Sequence, residues 1–259
     1  MAERIDGEWT PPLVLVHGFP LSAAMWAPLR PFLEPQSWVV TPDLPGFGGT
    51  PPLPGPASME ALAGWVTGLV DDLAIDRFVL GGHSMGGYVA LALAARQPDR
   101  LAGLVLMDTR ATADTPDAAA RRRAAAGDIG LHGGAPFREG FLPNLVGENT
   151  RRTRPEVLAQ MQALAEMVSD EVLMACLEGM RERPDRSGLL AHLDLPALVL
   201  VGEEDSVTSP AEAAAMARAL PQAELVVIPG AGHTPPLEQP EATGRALSGW
   251  LRAALPLER

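Results

Sequence analysis

A serine enclosed by glycines is the first residue in this chain whose setting suggests chemistry. In GGHSMGGYVALALAAR, residues 81–96, Ser84 is the centre of Gly82-His83-Ser84-Met85-Gly86. The apolar stretch FVLGG precedes it and an alanine- and leucine-rich run follows, which places the pentapeptide at a strand-to-helix turn. Such a turn strains the serine backbone and projects its hydroxyl, while Gly82 and Gly86 keep Cβ atoms away from the neighbouring strand and helix. The N–H groups at the start of the helix suit developing negative charge. A bare glycine-rich turn would explain the pentapeptide alone; its flanks favour a nucleophile.

A serine hydroxyl attacks poorly until a base takes its proton. His233, in IPGAGHTPPLEQP, follows the last strand in a loop that can reach over the sheet edge. The acid is expected between nucleophile and histidine in chain order. LVGEEDSVTSP offers Glu203, Glu204 and Asp205; Asp205 is preferred, because the residues before it leave the strand and those after it start a helix. Asp108, at another strand end, is the competitor. The acid orients the imidazole and stabilises the imidazolium. Two backbone N–H groups complete the set as an oxyanion hole, one from Met85 and one from Phe19 in HGF. His17 is read as a brace of that loop and His83 as a spacer in the turn. His132 and His192 default to solvated or hydrogen-bonded roles.

These residues need a scaffold that brings them to one edge. Residues 13–16, the VV of SWVVTPD, RFVLGG, LAGLVLMDT, 197–202 and 223–229 read as strands. Pro28 and Pro31 break the stretch after HGF into short helical pieces. Leu62, Trp65, Val66, Leu69, Val70 and Leu73 repeat on one face of a helix over 58–73, with Ser58 as N-cap. Ser209 and Glu212 form a capping box with Pro210 at the first helical position, and a last helix runs from about 240 to 255. Strands alternating with helices imply a mostly parallel central sheet flanked by helices, an α/β fold with ligands at the strand C-terminal ends. Residues 110–185 lack strand patterns, so an all-helical cap over 110–186 is expected above that edge, with 1–109 and 187–259 as the core. Met161, Met167, Met174 and Met180 recur at six- or seven-residue intervals in this region, either as core packing or as an adaptable acyl pocket.

Composition narrows the partners. The 259 residues carry a net charge of −12, which argues against nucleic acid or an anionic membrane surface. All 20 basic residues are arginine, and RRR (121–123) and RRTR (151–154) read as solvated helix faces. No apolar run is long enough for a bilayer, and MAERIDGEWTPP lacks a hydrophobic signal region. Cys176, the one cysteine, allows no internal disulfide and fits a reducing cytoplasm. The five histidines and this thiol show no metal-ligand spacing, so neither a metal nor a cofactor is expected.

Together HGFP, DLPGFGGT, GHSMGG, GEEDSVTSP and GAGHTPPLEQP resemble the α/β-hydrolase superfamily, in particular its capped serine esterases and lactonases. The resemblance covers nearly the whole chain outside the cap. It implies Ser84 as nucleophile, His233 as base, Asp205 as acid, and Phe19 and Met85 as oxyanion donors. The chain departs from the family in one respect: only about twelve residues precede the first strand, so the antiparallel strands that usually open this fold are expected to be shortened or absent. Haloalkane dehalogenases and epoxide hydrolases use an aspartate where this chain has Ser84. Hydrolysis of a small carboxylic ester through an acyl-enzyme is therefore the first reading. Lactone or enol-lactone opening uses the same groups, HGFP is also similar to the loop of cofactor-free perhydrolases, and diketone C–C hydrolysis stays open. A small-molecule receptor on the same fold is the non-enzymatic alternative.

Overall fold

The computed structural model describes residues 11–255. The chain enters through β1 (Leu13–Val16), a 3₁₀ stretch (Ala23–Leu29) and α1 (Arg30–Leu33), then β2 (Val39–Val40) and α2 (Met59–Asp72). It continues through β3 (Phe78–His83), α3 (Met85–Ala94) and β4 (Leu101–Met107). Six helices follow: α4 (Pro116–His132), α5 (Gly134–Phe141), α6 (Glu148–Thr153), α7 (Pro155–Glu166), α8 (Asp170–Arg181) and α9 (Ser187–Leu190). The sheet resumes with β5 (Ala197–Gly202), α10 (Pro210–Ala219) and β6 (Ala223–Ile228), and α11 (Pro235–Glu238) and α12 (Pro240–Ala254) close the described chain.

The six strands form one sheet in the order β2-β1-β3-β4-β5-β6, every pair parallel. This is the mostly parallel α/β architecture expected from the alternating elements. Any strand pairing before Pro11 lies outside the described residues. Central strands are buried on both faces, and their side chains sort by the two-residue period into two cores. Val14, Val16, Leu80, Leu104, Val199 and Val201 pack with α2, α3 and α10. Leu13, Leu15, Val79, Val105 and Leu198 pack instead with Trp26, Leu247 and Trp250. The direction of the strand order reverses between β1 and β3, the point at which open α/β sheets bind their ligands, outside the strand C-terminal ends.

Local signals explain the helix starts. Ser58 accepts from Ala61 N at 3.1 Å at the head of α2, and Ser209 and Glu212 form the reciprocal capping box of α10. Every residue of α3 is buried, which an all-apolar helix inside a layered fold requires. Between β4 and β5 the described residues contain helices and no strand. Among the described residues no helix is long and apolar enough to cross a membrane.

Two arginine runs differ from their expected solvated faces. Arg121 and Arg123 are exposed, but Arg122 turns inward to Asp114 at 2.7 Å, which Arg183 also contacts at 2.6 Å. Arg151 and Arg152 are exposed, whereas Arg154 reaches the backbone oxygen of Glu238. In both runs the inward arginine satisfies an acceptor outside its own run, eight residues back for Arg122 and 84 residues on for Arg154.

Candidate active site

The turn between β3 and α3 holds Ser84 at φ 52°, ψ −114°, a strained conformation for a residue with a side chain. Close packing enforces it. A Cβ on Gly82 would lie 2.1 Å from Gly86 O, and one on Gly86 would lie 2.2 Å from Val16 O. Ser84 N donates to Met107 O at 2.9 Å, and Thr109 Oγ1 donates to Ser84 O at 2.8 Å, so the end of β4 and the segment after it hold the turn.

His233 follows β6 and is buried, with Nε2 2.9 Å from Ser84 Oγ and Nδ1 2.8 Å from Asp205 Oδ2. The three side chains thus form one hydrogen-bonded row from hydroxyl to imidazole to carboxylate. Asp205 also accepts from Val207 N and Thr208 N on Oδ1, and from Thr208 Oγ1 on Oδ2 at 2.6 Å. Burial opposes its ionisation, but His233 and the Thr208 donors outweigh that and hold the carboxyl well below the usual range. The row has the geometry for general-base activation of a serine.

The two residues assigned to the oxyanion hole lie on the elements that meet at the turn. Met85 is the first residue of α3, and Phe19 leaves β1 on the adjacent strand. Neither N–H has a protein acceptor among the described residues. His17 braces the Phe19 loop: Nε2 accepts from Leu44 N at 3.0 Å and Nδ1 donates to Gly18 O at 3.1 Å. Burial pushes this imidazole down to about 4, so it is neutral at physiological pH.

The competitor acid, Asp108, lies beside the row rather than in it. Its Oδ1 accepts from Gly202 N at 2.8 Å, while Oδ2 is buried without a hydrogen-bond partner. Asp108, Asp205 and His233 each offer a donor atom within 4.8 Å of the others, an assembly of residues distant in sequence. Asp205 and His233 are already bonded to each other there, so the trio is an acid–base array before it is a metal site.

Two positioning residues escaped the sequence. His83 is more than a spacer: its Nε2 donates to the carbonyl oxygen of His233 at 2.6 Å. Glu238 is fully buried and accepts from Gly147 N, Gly232 N, Thr234 N and Thr234 Oγ1. Its place five residues after His233 was the available signal. His132 and His192 are exposed, in line with their default reading.

A cavity of about 370 Å³ lies between α3 and the helical segment, with Tyr88, Phe137, Phe141, Leu177 and Val207 in its wall. Tyr88 is one helical turn after Ser84 and Val207 two residues after Asp205, so the cavity wall draws on the elements that carry the serine row, and the Phe19 ring lies 6.1 and 6.0 Å from those of Phe137 and Phe141. The methionine series does not line it. Met161 and Met180 are core residues, Met174 is half-buried and Met167 is exposed. Their spacing follows the turns of separate helices, so they do not share a face. The aromatic pair of α5 takes the place at the cavity.

The chain belongs to the alpha/beta hydrolase family, whose family model matches residues 13–246. A pimeloyl-[acyl-carrier protein] methyl ester esterase from Aromatoleum aromaticum is 34% identical over 242 residues, 89% of this chain and 94% of that protein. A dihydrolipoyllysine-residue acetyltransferase component of an acetoin cleaving system from Pseudomonas putida is 32% identical over 96% of this chain. The chain spans 65% of that relative's length. Among solved structures, a thermophilic esterase from Thermogutta terrifontis matches at 46% identity and a TM-score of 0.91, over 95% of this chain and 90% of that one. An enol-lactonase from Burkholderia xenovorans LB400 matches at 27% identity and a TM-score of 0.86, over 97% and 95%.

Proposed function

We propose that this protein hydrolyses small carboxylic esters through an acyl-enzyme. The observation that carries the reading is the row Ser84–His233–Asp205, with both links shorter than 3 Å and the serine at a helix N-terminus. In this mechanism His233 Nε2 takes the proton of Ser84 Oγ as the oxygen attacks the ester carbonyl. Asp205 fixes the tautomer with Nδ1–H and stabilises the imidazolium. The N–H groups of Phe19 and Met85 face the oxyanion, where such donors contribute on the order of 10²–10³ in turnover each. His233 then protonates the departing alkoxide, and a water activated by the same nitrogen releases the acid. Helices α4–α8 act as a cap over the serine, and the cavity against Phe137 and Phe141 receives the substrate. A cytoplasmic setting belongs to the same reading and rests on the single, buried Cys176.

Opening of lactones or enol-lactones is the second reading, favoured by the 27% identity to an enol-lactonase across nearly the whole chain. Both readings use the same groups, and a screen of aryl esters of graded acyl length beside lactones separates them, with Ser84→Ala as blank. Sustained turnover of any of these supports an enzyme. A single burst without turnover would instead indicate a receptor.

A further inference from the structure

Beside the row stands a carboxyl group with no role in the proposed reaction. Asp108 is 1% exposed, at the C-terminal end of β4, and its φ is 44°. Oδ1 is occupied by the Gly202 amide, and buried Oδ2 has no donor. An ionised carboxylate in that position would be an unpaired buried charge next to a second one. A neutral carboxyl resolves both problems, because Oδ2 then becomes a donor and the Asp205 carboxylate lies within its reach. Of the two acids, Asp205 is the one built to stay ionised, since backbone amides, the Thr208 hydroxyl and His233 all donate to it.

We infer that Asp108 is a protonated positioning residue that donates a hydrogen bond to Asp205 and thereby limits how strongly Asp205 holds the proton of His233. Burial, then the adjacent Asp205 charge, pushes the Asp108 carboxyl well above the usual carboxylate range, in agreement with the geometry. The other titratable groups around the pair are His233 itself, the ring of His83 behind it, and Glu238 farther off. Arg110, on the loop after β4, is turned to Glu212 and the Val207 backbone. No cation is paired with Asp108 among the described residues.

The inference rests on the hydrolase reading for its kinetic consequence, but not for its chemical state. Infrared difference spectra of the intact protein at pH 8, wild type minus Asp108→Asn, should show the carbonyl stretch of one neutral carboxyl. Its absence overturns the inference whatever the enzyme does. In kinetics, Asp108→Asn keeps a neutral donor at a positive φ that asparagine tolerates, so the acid limb of kcat/KM should stay where it is. Asp108→Gly removes the donor without backbone strain and should move that limb to higher pH by about half a unit or more. If Asp108 were ionised, the asparagine variant would instead move the limb to lower pH, and that shift refutes the proposal. A failure of the hydrolase reading looks different: Ser84→Ala would keep full turnover while the infrared band persists.

Discussion

The imidazole of His83 donates from Nε2 to the main-chain oxygen of His233 at 2.6 Å, joining the residue before the nucleophile to the residue assigned as base. The two rings lie 5.2 Å apart between centroids. The bond requires the tautomer with hydrogen on Nε2, leaving Nδ1 pressed against Gly18, where a Cβ would come within 2.3 Å. Burial, then the neighbouring His233, pushes the His83 imidazole down to about 3. Replacing His83 by alanine should therefore misplace His233 without removing any reacting group. The expected outcome is a fall in kcat of about tenfold to a hundredfold with a smaller change in KM, and steady-state kinetics would read the split.

Ser84→Ala should lower turnover by about 10⁴–10⁶, since no other group can form the acyl-enzyme. Melting temperature should change little, because only a hydroxyl is removed. Full activity in this variant would falsify the mechanism.

The two acids should separate sharply. Asp205→Asn is expected to cost on the order of 10⁴ in kcat, because the amide sets the wrong tautomer on His233. Asp108→Asn should cost far less. The reverse order, measured on one ester at saturation, would transfer the orienting role to Asp108.

Substrate preference should follow the aromatic pair of α5. Phe137→Ala and Phe141→Ala should change the ratio of kcat/KM between short and long acyl chains, with about 1–3 kcal/mol of discrimination per methylene. Met161→Ala should leave that ratio alone and cost about 2–5 kcal/mol of stability, as a core deletion. A ratio that responds to Met161 and ignores both phenylalanines would put the acyl site elsewhere.

Acid should loosen the fold before it reaches the usual carboxylate range. His17 and His83 are neutral when folded and take up protons freely when unfolded, so the unfolded chain binds more protons below about pH 6.5. Stability should fall as pH drops from there to about 4 for His17 and about 3 for His83. The His17 share alone is about 3 kcal/mol. Asp205 acts lower still: its stabilisation is present above the unfolded value near ~3.9 and is lost as pH falls toward its depressed folded one. A buried neutral Asp108 works in the opposite sense over the same window, so urea unfolding of Asp108→Asn at pH 7 and pH 4.5 measures the histidine part, and equal stabilities at both would contradict it.

Where the chemistry depended on neighbours in sequence, it was legible. The strand–turn–helix around Ser84 is local, as are the capping box at Ser209 and the exit from β5 to Asp205. Hydrophobic period identified the strands because both sheet faces are covered. His83 and Glu238 were missed in their positioning roles because their partners are set by tertiary packing: His83 meets a carbonyl 150 residues away and Glu238 an amide 91 residues away. Of the two roles open to the methionines, core packing is the one the fold gives Met161 and Met180. Helical spacing shows that residues share a face only within one helix, and these are divided between α7, α8 and the turn between them.

Glu238 has one more consequence. One carboxylate oxygen holds Gly147, at the head of α6, and the other holds Gly232 and Thr234, on either side of His233. The amide of His233 itself is taken by Leu145 O, two residues before Gly147. The 145–147 stretch and the loop that carries His233 therefore hang from one anchor. That stretch cannot move independently of the loop: displacing residues 145–147 breaks the bonds from Leu145 O to His233 N and from Gly147 N to Glu238. If the helical segment is the cap of the proposed hydrolase, the arrangement is a safety interlock: His233 keeps its place only while the 145–147 stretch is latched.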